Sequence, residues 1–216
     1  MLTLDKIYHA AYVLKDVVRP TSLIRSKINP DCEMYLKSEN LQITGSFKVR
    51  GAGYMISQLS AEEKAKGVIA CSAGNHAQGV ALAAQKYGIK AVICLPDGAP
   101  ISKVEATKSY GAEVVMVKGV YDDAYKRALE LRDEMGYTFV HPFDDENVIA
   151  GQGTIALELI EQLMEKQGAV QNPKYSEQSF ALEFRDNDAL VSEGLVKVVP
   201  VKNAKAVEEK AEPVQQ

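Results

Sequence analysis

"GVIACSAGNHAQGVALAAQKYGIKAVICLP", residues 67–96, contains two short β-prone runs with a helical stretch between them. The first run, GVIAC (67–71), leads into the turn Ser72-Ala73-Gly74, and a helix is predicted from about Asn75 to Gly88. The second, KAVICL (90–95), is followed at similar spacing by a third, AEVVMV (112–117). The stretches "SKVEATKSYG" and "YDDAYKRALELRDEMG" read as further helices, and Gly88, Gly111 and Gly136 fall where C-terminal caps are expected. Strand–helix–strand alternation of this length predicts parallel strands joined by right-handed crossovers, an α/β fold.

Working outward, a helix is predicted over about residues 3–16, a strand at EMYLK (33–37), and a helix from about Ser46 to Leu59. On the other side, "NVIAGQGTIALELIEQLMEKQG" reads as one long helix with Gly151 and Gly153 in its first turns. Residues 169–216 lose the rhythm and finish in "KNAKAVEEKAEPVQQ", a charged low-complexity tail expected to be disordered.

Bulk composition excludes several functions. A chain of 216 residues, 46% hydrophobic and 25% charged with net charge −4, has the make-up of an ordinary globular protein. No basic face suggests a nucleic-acid partner. Apolar runs such as "AVICL" are too short to cross a bilayer, and the amphipathic start "MLTLDKIYHAAYVLKD" lacks the pattern of a signal peptide. A cytoplasmic protein is expected. Cys32, Cys71 and Cys94 show no CxxC spacing and read as reduced, buried thiols. His9, His76 and His141 form no ligand cluster, so no metal is expected.

Two loops could carry chemistry. At the carboxyl end of the 67–71 strand, free N–H groups at the following helix start favour an anion such as a carboxylate. Gly74 permits close approach, and Asn75 offers a donor and an acceptor. The simpler alternative is that Ser72 or Asn75 only caps the helix. The second loop is "ENLQITGSFKVRG", where Lys48 falls in the first turn of a helix, the end that disfavours an ammonium. Burial and dipole together would yield the neutral amine that a Schiff-base lysine needs, with Phe47 beside it to pack on a flat ring. Its simpler alternative is a lysine extended into water.

Together, "ENLQITGSFKVRGA", "ACSAGNHAQGVA", "PDGAPISKVEATKSYGAEVV" and "FDDENVIAGQGTIALEL" resemble, in order, the serine/threonine dehydratases among the fold-type II pyridoxal-phosphate (PLP) enzymes, over roughly residues 1–165. The resemblance implies a three-layer, parallel-sheet fold of the tryptophan synthase β-like kind. It implies PLP as cofactor, carried by Lys48, which would also act as base at the substrate Cα. Phe47 would lie on the cofactor ring and Asn75 would bond its phenolic oxygen. The loop of Ser72, Ala73, Gly74, Asn75 and His76 would hold the substrate carboxylate, largely through backbone N–H groups. The implied reaction is β-elimination of L-threonine or L-serine to 2-oxobutyrate or pyruvate and ammonia, in isoleucine biosynthesis or threonine catabolism. Serine racemases of the family have a serine at the position of Ala73; an alanine there favours elimination.

The resemblance also implies a glycine-rich loop holding the PLP phosphate after the helix that ends near Lys166. Beyond Gly153 the sequence has only Gly168 and Gly194. The expected organisation is therefore an incomplete large domain (1–51 plus 147–168), a small α/β domain (52–146) and a divergent tail (169–216), with an apolar face left uncovered. A homo-oligomer or association with a full-length relative is the expected partnership. The alternatives are a non-catalytic remnant or partner-binding fragment, and a serine racemase-like enzyme.

Overall fold

A computed structural model describes residues 1–28 and 32–166. The expected tail, residues 169–216, lies outside the described residues. Helix α1 (Leu4–Val13) is capped by the Thr3 side chain and runs into a 3₁₀ turn at Leu14–Asp16. Strands β1 (Leu23–Ser26) and β2 (Met34–Lys37) pair antiparallel, and helices α2 (Lys48–Ser57) and α3 (Ala61–Lys66) follow. Then come β3 (Val68–Cys71), α4 (Asn75–Tyr87), β4 (Ala91–Pro96), α5 (Ile101–Ser109), β5 (Glu113–Val117), α6 (Tyr121–Met135), β6 (Thr138–Phe139) and α7 (Glu146–Lys166).

Strands β3 to β6 form one parallel sheet in the order β5-β4-β3-β6, so the predicted alternation is what the chain adopts. Every residue of β3 is buried, as expected for a parallel strand covered on both faces. The two faces divide cleanly. Val68 and Ala70 pack with Ile93 and Leu95 against α2, α4 and α5, whereas Ile69, Cys71, Val92 and Cys94 pack against Ala124 and Ala128 of α6. This period-two division makes a three-layer helix–sheet–helix arrangement. A further cluster joins Ala10, Leu14 and Val17 to Val49 and Tyr54 of α2. Helices α4 and α6 close on Gly88 (φ 65°) and Gly136 (φ 72°) in the left-handed region, as predicted.

Three elements were not anticipated. Strand β1 is four residues of mixed polarity held by its ladder with β2, β6 is two residues long, and α3 buries no side chain. Helix α3 nonetheless carries a reciprocal Ser60–Glu63 capping box, a signal legible as "SAEE". One cysteine expectation is corrected: Cys71 and Cys94 are buried, but Cys32 is exposed, because it lies in the β1–β2 connection and connections run over the surface. Among the described residues, no three His, Cys, Asp or Glu side chains form a metal-ligand group, and no helix is long and apolar enough to cross a membrane.

Candidate active site

Lys48 is the first residue of α2, after an N-cap, Phe47, that makes no side-chain cap bond. The lysine does not extend into water. It is half-buried, its Nζ donates to the Pro142 carbonyl at 2.8 Å, and it stands 5.3 Å over the Phe47 ring centroid. Burial pulls its pKa below the ordinary 10.5. The positive end of the helix dipole acts in the same direction.

The second loop begins where β3 ends. Ser72 N donates to the Cys94 carbonyl at 3.1 Å, and Ser72 Oγ accepts from Gly74 N at 3.2 Å, closing a tight turn. Gly74 is the N-cap of α4 and makes no side-chain cap bond; Asn75 Oδ1 instead accepts from Lys103 Nζ at 3.3 Å. Neither Ser72 nor Asn75 caps the helix, so the first-turn amides of α4 have no side-chain cap. Ala73 packs on the core, and a Cβ on Gly74 would meet nothing within 4 Å. The face of the loop is open to a ligand.

His76 is turned away from that role. The residue is 4% exposed and its Nε2 lies 2.9 Å from the Val140 carbonyl, so Nε2 carries the hydrogen. Burial, with the nearby Lys48 and His141 charges, lowers its pKa to about 4. Its backbone amide is what His76 can contribute to an anion.

The two loops meet because α2 and α4 cross at very short range. A Cβ on Gly79 would lie 2.9 Å from the Lys48 carbonyl carbon and 3.0 Å from Val49 N. Gly79 is four residues beyond Asn75, about 6 Å along the helix. On the other side of α2, a Cβ on Gly151 would lie 2.4 Å from the Arg50 carbonyl oxygen. The amine of Lys48 and the amides at 72–76 thus sit on neighbouring helix starts fixed by glycine contacts.

Sequence reading missed two features. Arg50, 1% exposed, forks onto Glu39 with two 2.8 Å bonds and reaches Glu158 at 2.6 Å, while Lys37 pairs with the other Glu158 oxygen at 2.6 Å. This network ties α2 to the segment after β2 and to α7, and its partners are too distant in sequence for any local pattern to reveal. The Val140 and Pro142 carbonyls are backbone groups and leave no trace in side-chain chemistry.

Residues 14–173 match the pyridoxal-phosphate dependent enzyme family. The L-threonine ammonia-lyase of Thermotoga maritima is 52% identical over 166 residues, 76% of this chain and 41% of that protein. A catabolic L-threonine dehydratase of Staphylococcus aureus is 47% identical over 167 residues, 76% of this chain and 48% of that protein. The maize serine racemase structure superposes with a TM-score of 0.73 at 36% identity, covering 76% of this chain and 51% of that one. The chain spans about half the length of the curated relatives it matches.

Proposed function

The chain belongs to the pyridoxal-phosphate dependent enzyme family, and from that premise we propose that it supplies the lysine-bearing part of a threonine/serine ammonia-lyase. The reaction is β-elimination of L-threonine or L-serine to 2-oxobutyrate or pyruvate with release of ammonia. The observation that carries this reading is the half-buried Lys48 amine on a residue whose backbone lies against Gly79, about one helical turn of α4 from the uncapped amides at its start.

The residues present fit the aldehyde end of the cofactor. Lys48 offers an amine whose charged form burial disfavours, Phe47 offers a ring face, and Asn75 a side-chain amide at the start of α4. The phosphate end differs. Among the described residues the positive-φ glycines, such as Gly45, Gly67 and Gly88, are isolated in the chain, so they build no run of amides around a dianion. The reading therefore includes association with a longer relative, which would supply one; a homo-oligomer is the other partnership it allows. Residues 52–146 are the small α/β domain in this reading, and residues 1–51 with 147–168 are part of the larger one. A cytoplasmic location, with a role in isoleucine biosynthesis or threonine catabolism, belongs to the same reading.

Bound at this site, the cofactor supplies an electron sink for charge developing at the substrate Cα. The chain's own residues do the rest. Within the 72–76 turn, where the Ser72 and Gly74 amides are already engaged, those of Ala73, Asn75 and His76 hold the substrate carboxylate against the positive end of α4. Lys48 Nζ takes the Cα proton. Ala73 has no dissociable proton to return to the opposite face, which favours elimination over the racemisation named for the maize relative.

The lack of a phosphate cradle among the described residues favours one second reading, a non-catalytic fragment that binds small carboxylates at 72–76. Borohydride trapping after incubation with PLP separates the two. A yellow complex whose reduced label maps to Lys48 supports the enzyme reading. Folded protein with Lys48 unlabelled overturns it and leaves the carboxylate-binding fragment.

A further inference from the structure

We infer that His76 is a positioning residue for Lys48, acting through the segment at residues 140–142. The inference rests on Lys48 being the reactive amine of the reading above. His76 lies in the first turn of α4 and Lys48 in the first turn of α2, yet both side chains end on the same short segment. The ring donates to the Val140 carbonyl at 2.9 Å, and the Lys48 ammonium donates to the Pro142 carbonyl at 2.8 Å. Val140 is wholly buried, and Val140 N is itself held by the Ile69 carbonyl of β3 at 2.8 Å. The Val140 peptide is therefore pinned on both sides, by the sheet through its N–H and by His76 through its C=O.

Two residues further on, the Pro142 carbonyl takes its direction from that anchored peptide. A proline restricts the residue before it to extended conformations, so His141 leaves little slack between the two carbonyls. Lys48 thus rests on an acceptor fixed by the protein rather than on water. Burial lowers the Lys48 pKa, and in this inference the 140–142 segment that receives its amine is part of what keeps it lowered.

The anchor is built to persist through the neutral range. The groups facing His76 are Lys48 on α2 and His141 on the segment, and both oppose a charge on the ring, as does burial. A neutral imidazole with its hydrogen on Nε2 is the form that donates to a carbonyl. Without that donor, the buried Val140 oxygen would lack the ring bond, a loss of the size that moves such a segment.

The test measures pH profiles of reductive methylation by formaldehyde and cyanoborohydride, residue by residue, with exposed Lys86 and Lys126 as internal references. In the wild-type protein the Lys48 midpoint is expected below those of the references. H76Q, whose amide nitrogen reaches the place of Nε2, keeps it there. H76L moves it up toward the references, with a several-fold drop in Lys48 labelling at neutral pH, while Lys86 and Lys126 are unchanged. A Lys48 midpoint in H76L that stays at the wild-type value, or moves down, overturns the inference alone. A wild-type midpoint already equal to the references overturns the reading of Lys48 as the reactive amine. Should H76L fail to fold, H76N, too short to reach Val140, decides in its place by the same criteria. In the ¹⁵N spectrum of the wild-type histidines, His76 is expected as the Nε2–H tautomer with a midpoint near 4; the Nδ1–H tautomer would also overturn the inference.

Discussion

The Lys48 backbone lies directly against Gly79: a Cβ at position 79 would stand 2.9 Å from the Lys48 carbonyl carbon and 3.0 Å from its oxygen. Those neighbours are backbone and cannot swing aside as a side-chain tip can. Gly79→Ala is therefore expected to cost about 1–3 kcal/mol through forced separation of α2 and α4. It should also reduce PLP trapping at Lys48 by more than the lost stability explains, since the helix starts are displaced. Urea midpoints and label yield at full occupancy of the native state check both.

Arg50 holds two carboxylates while almost fully buried, so truncating it leaves Glu39 and Glu158 without their shared guanidinium. Arg50→Ala is expected to lower stability by about 3–5 kcal/mol in denaturant unfolding. Arg50→Lys should recover little, because a single ammonium cannot reproduce the fork onto Glu39 together with the bond to Glu158.

Asn75 contributes no cap to α4, and its side-chain oxygen bonds only the exposed-side Lys103 among the described residues. Asn75→Ala should weaken PLP binding with unfolding midpoint and circular dichroism close to wild type. A parallel loss of helicity would show that the residue is mainly structural.

Acid should first destabilise the protein through His76, before its carboxylates matter. The folded value of about 4 lies below the ordinary 6.5, so between them the unfolded chain binds a proton that the folded chain refuses. The stabilisation is complete above 6.5 and falls as pH drops toward 4, by roughly 3 kcal/mol in total. For Glu158, burial alone would raise the carboxyl, but the bonds from Arg50 and Lys37 outweigh it and hold it below its ordinary 4.5. Its contribution is present above that value and is lost at still lower pH. Denaturant unfolding of wild type and H76Q across this range checks the first step; H76Q should lack the slope between 6.5 and 4.

Where sequence was legible, one physical signal sufficed. Runs such as GVIAC and KAVICL are buried on both faces, so their apolar continuity marks them as strands, and Gly88 and Gly136 end helices because of their left-handed geometry. Strand β6 was invisible because two residues carry no period, and β1 because its ladder with β2 substitutes for patterning. At the candidate site, helix-end electrostatics allowed Lys48 and the 72–76 turn a chemical role beside a simpler one, and it was the resemblance of the paired motifs to the dehydratases that singled them out. The Arg50 network could not be found, since Glu158 is 108 residues away, and neither could the segment at 140–142, whose contribution is made by carbonyl oxygens.

Cys71 and Cys94 face each other across β3 and β4, both buried, with burial raising each thiol to about 11. Neither offers thiolate at neutral pH, whereas Cys32 is at the surface. A maleimide dye should therefore attach at one place on the native protein without any engineering, giving a ready-made fluorescent reporter or tether on the β1–β2 connection, and the two interior sulfurs should become reactive only on unfolding.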